Sequence, residues 1–243
     1  MYIIKLDAID STNTYLKDIA SGAIPQDYTV VVAQQQTAGR GQMGTTWDAQ
    51  EGKNLTVSVF KKFDGFEVER QFYISMAVSL AIYKALKSFK IPKLYIKWPN
   101  DILSANLKVC GILIENVIKN NQFKGSIIGI GLNINQKFFD HIPQASSMSL
   151  LTGIIYDKDE VLSNILNELK LYFGLLELQK YEEIKTQYES LLFRIGKPST
   201  FNFNNGETIS GIIKGVTEAG KLKVWTEDDV VKNFDLKEVH LLY

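Results

Sequence analysis

Residues 34–47 read QQQTAGRGQMGTTW, and the fold turns on what this segment is. It follows YTVVVAQ (28–34), a β-branched run with the composition of a buried strand. Gly39, Gly41 and Gly44 therefore match G-x-G-x-x-G after a strand, the pattern of a dinucleotide-binding βαβ unit. The sequel does not fit. Residues 45–53 contain Gly52 and no helical apolar period, so no helix N-terminus is available to face a pyrophosphate. The stretch is instead a polar, glycine-hinged loop that carries Arg40 and ends on Trp47. Glycines let the backbone approach a ligand closely, and exposed N–H groups beside a guanidinium form a clamp for an anion. With no apolar period of its own, the loop needs something to fold onto. Another near-match to a nucleotide motif fails in the same way: Gly215-x-x-x-x-Gly220-Lys221 continues with Leu222 and a strand, where a phosphate-binding loop needs Ser or Thr and a helix. It reads as a hairpin turn.

Outward from the loop, residues 2–9 are extended and apolar, and Asp10-Ser11-Thr12-Asn13 precedes Tyr15, Leu16 and Ile19 at helical spacing, an N-cap signal. Residues 54–62 alternate as a strand. Residues 67–89 predict a long amphipathic helix with Phe72, Met76, Leu80, Tyr83 and Leu86 on one stripe. Leu94, Ile96 and Trp98 then alternate with Tyr95 and Lys97 until Pro99 stops the strand. Strands follow near 109–117 and 123–132, with a turn at Asn120-Asn121, and residues 158–192 are helical with a break near 178–181. From Gly196-Lys197-Pro198 the texture changes to short alternating segments with Asn-Gly and Ala-Gly turns, a small β module. The expected division is residues 1–194 and 195–243.

The chain has 243 residues, which suits one large domain and a small one. Hydrophobic residues make up 45% and charged residues 22%, ordinary for a globular protein, and the formal net charge of +0 lacks the basic footprint of a nucleic-acid binder. No apolar run approaches the ~20 residues that span a bilayer, and the N-terminus has neither the basic run nor the cleavage site of a signal peptide. The expected compartment is the cytoplasm. The lone cysteine, Cys110, sits in an apolar run and reads as core. His141 and His240 are too few and too far apart for a metal cage, and no G-x-S-x-G supplies a nucleophile.

Taken together, GRGQMGTTW (39–47), KWPNDIL (97–103), KVCGILIE (108–115) and GIGLNIN (129–135), with DSTN (10–13) upstream, closely resemble the biotin protein ligase family over nearly the whole chain. The resemblance implies an α+β fold, a class II synthetase-like mixed β-sheet flanked by helices with a small C-terminal SH3-like β-barrel. It implies ATP-dependent activation of biotin as biotinyl-5′-AMP, with Mg2+ on the ATP phosphates, and transfer to a lysine of a biotin carboxyl carrier protein. A lipoate or octanoate ligase of related fold is the nearest alternative, and a biotin-binding sensor without catalysis the next.

By the same resemblance the catalytic residues are Lys108, Arg40, Lys97 and Asp101, with Lys108 at the biotin carboxylate and α-phosphate, and Asp101 ordering metal or attacking lysine. The biotin side comprises Ser11, Thr12, Asn13, Gln36, Gly39, Arg40, Gln42, Lys108, Gly111 and Gly129. The ATP side comprises Arg40, Gln42, Met43, Trp47, Lys97, Asn100 and Asn133, with Trp47, Asn100 and Asn133 next to adenine. No protein side chain is assigned to metal. Many relatives carry arginines where this chain has Gln42 and Met43. Gln keeps hydrogen bonding but loses the fixed charge, so the adenylate is expected to be held less firmly unless another cation compensates. Some relatives carry a DNA-binding domain before DSTN. Only ten residues precede Ser11 here, so no repressor role and no nucleic-acid or membrane partner is expected. Monomer and homodimer both stay open.

Overall fold

The computed structural model describes residues 1–63, 65–120, 122–139, 142–236 and 238–243. Asn121 of the expected turn and His141 lie outside these. The first half of the chain builds a seven-stranded sheet from β1 (Tyr2–Ile9), β2 (Thr29–Gln36), β3 (Leu55–Lys62), β4 (Leu94–Lys97), β5 (Asp101–Ser104), β6 (Leu107–Lys119) and β7 (Gln122–Leu132), in the order β1-β2-β3-β7-β6-β5-β4. β1 and β2 run parallel, which requires a crossover. That crossover is α1 (Thr12–Gly22), capped by Ser11, whose hydroxyl accepts from the Thr14 N–H. Every other neighbouring pair is antiparallel, so the sheet is mixed.

The two faces of the sheet are unlike because its strands alternate apolar with small or polar residues. Val57, Val59, Cys110, Ile112, Ile128 and Ile130 join the large core on one face. Their in-between neighbours Ser58, Gly111, Leu113, Gly129 and Gly131 fall on the other, in the register Ser58↔Gly129↔Leu113 and Gly131↔Gly111. On that second face α1 covers one end, packing Leu16 on Val31, Phe60 and Ile127. The rest of that face becomes the floor of a cleft.

The apolar face lies under α2 (Gln71–Ser88), which in turn packs against α4 (Lys158–Glu177) and α5 (Tyr181–Ser190). This corrects the single-stripe expectation for residues 67–89. Ile74, Ala77, Val78, Ala81, Ile82 and Ala85 are buried as well as the expected stripe, because the helix is covered by the sheet on one side and by helices on the other. α4 starts on Asp157, whose carboxylate accepts from the Asp159 and Glu160 N–H groups, and it ends just before the expected break. Two elements carried no sequence signal: β5 and the five-residue α3 (Met148–Thr152). Cys110 is fully buried, as its run implied, and burial pushes its thiol up.

The last part of the chain forms a separate antiparallel sheet, order β11-β10-β9-β8-β12, from β8 (Pro198–Phe203), β9 (Thr208–Val216), β10 (Leu222–Thr226), β11 (Val231–Phe234) and β12 (Val239–Leu242). Residues 217–221 make the expected hairpin turn, with Thr217 N–H donating to Lys221 O and Gly220 at φ +88°. That turn is also a docking point, since Trp98 Nε1–H donates to Gly220 O at 2.9 Å. Leu192 still bridges Ile96 of the first sheet, whereas Ile195 bridges Ile213 of the second. Among the described residues no helix is long and apolar enough to cross a membrane.

Leu80 is fully buried on α2 beneath the sheet. Leu80→Ala should cost about 3 kcal/mol, the usual range for such truncations being roughly 2–5. Urea unfolding followed by circular dichroism measures this, and a loss under ~1 kcal/mol would show that α2 is not the packed centre described.

Candidate active site

A cavity of about 450 Å³ opens on the glycine-rich face of the first sheet and extends to the second sheet. Its polar end is built by the start of α1 and the end of β2. Gln36 Oε1 accepts from the Thr12 N–H at 2.9 Å and from Thr12 Oγ1 at 3.0 Å, which leaves the Gln36 amide NH2 as a donor. Ser58 Oγ lies 2.7 Å from Thr12 Oγ1 and 2.6 Å from Asn13 Oδ1, joining β3 to the same network. Asn13 is almost wholly engaged: its amide also donates to Leu113 O at 3.3 Å and to Glu115 Oε2 at 2.9 Å.

The floor is set by the cross-strand pair Gly111↔Gly131 and by Gly129. The Trp47 indole lies in the slot these leave. A Cβ at Gly131 would clash with the Trp47 ring, and one at Gly129 would clash with the Asn13 amide. Here the absence of side chains is a steric requirement rather than backbone freedom. Trp47 Nε1 is buried and has no hydrogen-bond partner among the described residues. A buried indole N–H usually finds an acceptor, so the group is poised for one on a ligand.

The opposite end is cationic. The register pairs Lys97 with Asp101 across β4–β5, and a register shift at Ile102/Leu103 sets Lys108 beside the same carboxylate. Lys108 Nζ is 2.7 Å from Asp101 Oδ1 and Lys97 Nζ is 3.7 Å from Oδ2. The first contact is close but not aligned as a hydrogen bond, so it is an ion pair in which charge rather than direction holds the groups. Lys108 Nζ also lies 5.7 Å from the Trp47 ring centroid, and Lys97 Nζ 5.2 Å from that of Tyr243. Burial holds the Lys97 ammonium below the usual lysine range; Asp101 opposes this and Lys108 reinforces it. Burial likewise raises the Tyr243 phenol, with Asp101 adding to the effect.

The loop from Gly39 to Trp47 spans the cleft as a short hairpin. Arg40 bridges Thr46, Trp47 N–H donates to Gly39 O at 3.0 Å, and Met43 and Gly44 take left-handed backbone conformations at the tip. The hairpin has a place to fold even without ligand, namely the glycine slot under Trp47. Arg40 does not join the two lysines. Its Nη2 pairs with Glu115 Oε2 at 2.6 Å.

Of the residues singled out in the sequence, Ser11, Thr12, Asn13, Gln36, Gly111 and Gly129 line the cavity at its polar end and floor. Arg40, Gln42, Met43 and Trp47 line it from the hairpin, and Lys97, Asn100, Asp101 and Lys108 from the cationic end. Two do not reach it. Gly39 is buried in the hairpin stem. Asn133 follows the end of β7 at Leu132, and its amide donates to Ser146 O at 3.1 Å. Asn100 lines the wall but spends its amide on Ile112 O at 2.8 Å. Gly131 is an unforeseen member of the lining, together with an apolar wall from the second sheet that includes Phe201, Leu222, Val239 and Leu241, and Ser58 and Glu115 brace lining residues from outside it. The regular Gly-Ile-Gly-Leu alternation was the signal for Gly131; nothing local marked the others.

These features define an α+β protein with one cleft that pairs a polar head and a flat, glycine-floored body with a cationic end. The model of the Biotin/lipoate A/B protein ligase family matches residues 6–133, and the chain belongs to that family. It is 30% identical over 235 residues to the bifunctional ligase/repressor BirA of Bacillus spizizenii, covering 95% of this chain and 71% of the relative. It is 28% identical over 225 residues to a biotin–[acetyl-CoA-carboxylase] ligase of Paracoccus denitrificans, covering 88% and 90%. The fold is similar to that of the Aquifex aeolicus biotin protein ligase in complex with biotin and ATP, with TM-score 0.82, 28% identity and coverage of 99% and 98%.

Because the unfolded chain holds the Lys97 proton more firmly than the folded one does, this ammonium opposes folding at neutral pH. The penalty fades as pH rises from the depressed value toward the ordinary 10.5. Lys97→Met should therefore match or exceed the parent in urea midpoint at pH 7, and its advantage should shrink as pH approaches about 10. A lower midpoint at pH 7 would show that Lys97 serves stability rather than the cleft.

Proposed function

We propose that this protein is an ATP-dependent biotin–protein ligase that activates biotin as biotinyl-5′-AMP and transfers the acyl group to a lysine of a biotin carboxyl carrier protein. One observation carries the reading: a single cleft joins a polar head site and a glycine-floored slot to the Lys97–Asp101–Lys108 cluster. Biotin has that shape and polarity, with a ureido head, an apolar body and a carboxylate tail. Its ureido group presents two N–H donors and a carbonyl, and each one left unpaired in a closed site costs ~1–3 kcal/mol. Ser11, Thr12 and Gln36, with the Arg40 backbone, form the matching set, and Gly111 and Gly131 seat the Trp47 indole, beside which the rings lie. Asn13 acts by holding Ser58 and Glu115 in place.

The tail must then attack a triphosphate, and two anions approach only where cations already stand. In this reading Lys108 sits at the junction and stabilises charge as a carboxylate oxygen bonds to the α-phosphorus and the bond to the β-phosphate breaks, releasing pyrophosphate. Lys97 strengthens the field from a largely desolvated position, and Asp101 keeps both ammoniums where they are needed. Trp47, Asn100 and Asn133 serve the nucleotide side, with Gln42 and Met43 at the hairpin tip. Among the described residues no cluster of His, Cys, Asp and Glu could hold a metal. Magnesium would accompany the nucleotide, with Asp101 as the carboxylate available to it, and would supply charge neutralisation on the phosphates. Closure of the hairpin excludes water from the mixed anhydride until an acceptor amine attacks the acyl carbon and AMP departs.

The scheme reads residues 1–194 and 195–243 as two domains, a division supported by the change of bridge partner from Ile96 at Leu192 to Ile213 at Ile195. ATP and unattached carrier meet in the cytoplasm, which is where the reading sets the reaction. The test is to incubate the protein with ATP, magnesium and a carrier domain plus either biotin or lipoate, with mass spectrometry as the readout. Biotin alone should yield an adenylate and a modified carrier lysine. Labelling by lipoate instead, an adenylate with no labelled lysine, or no adenylate would each reject the proposal.

A further inference from the structure

We propose that Glu115 is a positioning residue that latches the hairpin 39–47 over the cleft through Arg40. Glu115 lies on β6 with its carboxylate held from three sides. Oε2 accepts from Asn13 Nδ2 at 2.9 Å and from Arg40 Nη2 at 2.6 Å, and Oε1 lies 3.5 Å from Lys17 Nζ. Asn13 is itself pinned by Ser58 Oγ and Leu113 O. The acid is therefore an ordered anchor, only 22% exposed in its side chain, whereas Arg40 is 42% exposed and belongs to a loop. An ion pair between two mobile side chains contributes little because both must be ordered. Here one partner is ordered before the contact forms, so the pairing restrains the loop alone.

The hairpin needs such restraint. A two-stranded ribbon this short does not hold its shape without docking. It has two attachments to the sheet face, the Trp47 ring in the glycine slot and Arg40 on Glu115. The second leaves Arg40 Nε and Nη1 as donors for a ligand anion, since a guanidinium carries five N–H groups and the Glu115 contact uses Nη2. Glu115 thus aims Arg40 rather than merely neutralising it. The effect on the reaction rests on the ligase reading; the effect on the loop does not.

Amide hydrogen exchange of the unliganded protein separates the two. Gly41 and Trp47 donate across the hairpin, to Thr45 O and Gly39 O, and report its docking. Glu115→Gln should raise exchange at both several-fold, Arg40→Ala should do the same, and the double variant should add nothing further. Amides of α1 such as Tyr15, which donates to Ser11 O, should stay unchanged. Unchanged hairpin exchange, additive effects, or equal loosening of α1 would overturn the latch and leave Glu115 a support for Asn13. In a preloaded protein Glu115→Gln should release adenylate several-fold faster, and an unchanged rate would overturn its bearing on the reaction. Should the protein form no adenylate at all, the ligase reading fails while the exchange result still decides the latch.

Discussion

Two ammonium groups share one carboxylate at the deep end of the cleft, and the surrounding fold is built to hold that unequal arrangement. Asp101 stands 2.7 Å from Lys108 and 3.7 Å from Lys97, enough to hold both but not to neutralise both. The excess positive charge is fixed by backbone pairing rather than by flexible side chains finding one another, since β4, β5 and β6 deliver the three residues by register. Charges placed before a ligand arrives need no reorganisation when an anion forms, and this is the largest source of electrostatic catalysis. Lys97 opposes folding to stand there, a cost typical of a functional site.

That cost is carried by the other face of the same sheet. α2 is buried on nearly all sides beneath α4 and α5, and its apolar contacts hold the strands that present Lys97, Asp101 and Lys108. The second sheet contributes at two levels. Its hairpin turn accepts the Trp98 N–H beside the lysine-bearing strand, and its apolar side chains close the cleft wall. The sheet face that floors the cleft is kept bare by glycines at paired positions, so a ring can lie where side chains would otherwise meet.

Much of this was legible in residues alone, where a feature is local. Ser11 before Tyr15 and Leu16 marked the start of α1, the β-branched run before the glycine loop marked β2, and the failure of residues 45–53 to carry a helical period excluded a dinucleotide fold. The KWPND and glycine-loop blocks together indicated the family. Features that depend on register were not legible. Asp101–Ser104 is too short to show a period, Gly131 matters because it faces Gly111, and Glu115 matters because Asn13 and Arg40 arrive from distant segments. The stripe expected on α2 was real but incomplete, since a helix covered by a sheet and by two further helices buries residues on nearly every side.

Whether the lysine pair activates a carboxylate is decided by biotin-dependent exchange of labelled pyrophosphate into ATP, compared between the parent protein and a folded Lys108→Ala variant. The variant should lose at least about a hundredfold in rate, the usual consequence of removing a group aimed at developing charge. An undiminished exchange rate in the variant would contradict the role given to Lys108 and, with it, the purpose assigned to the cluster.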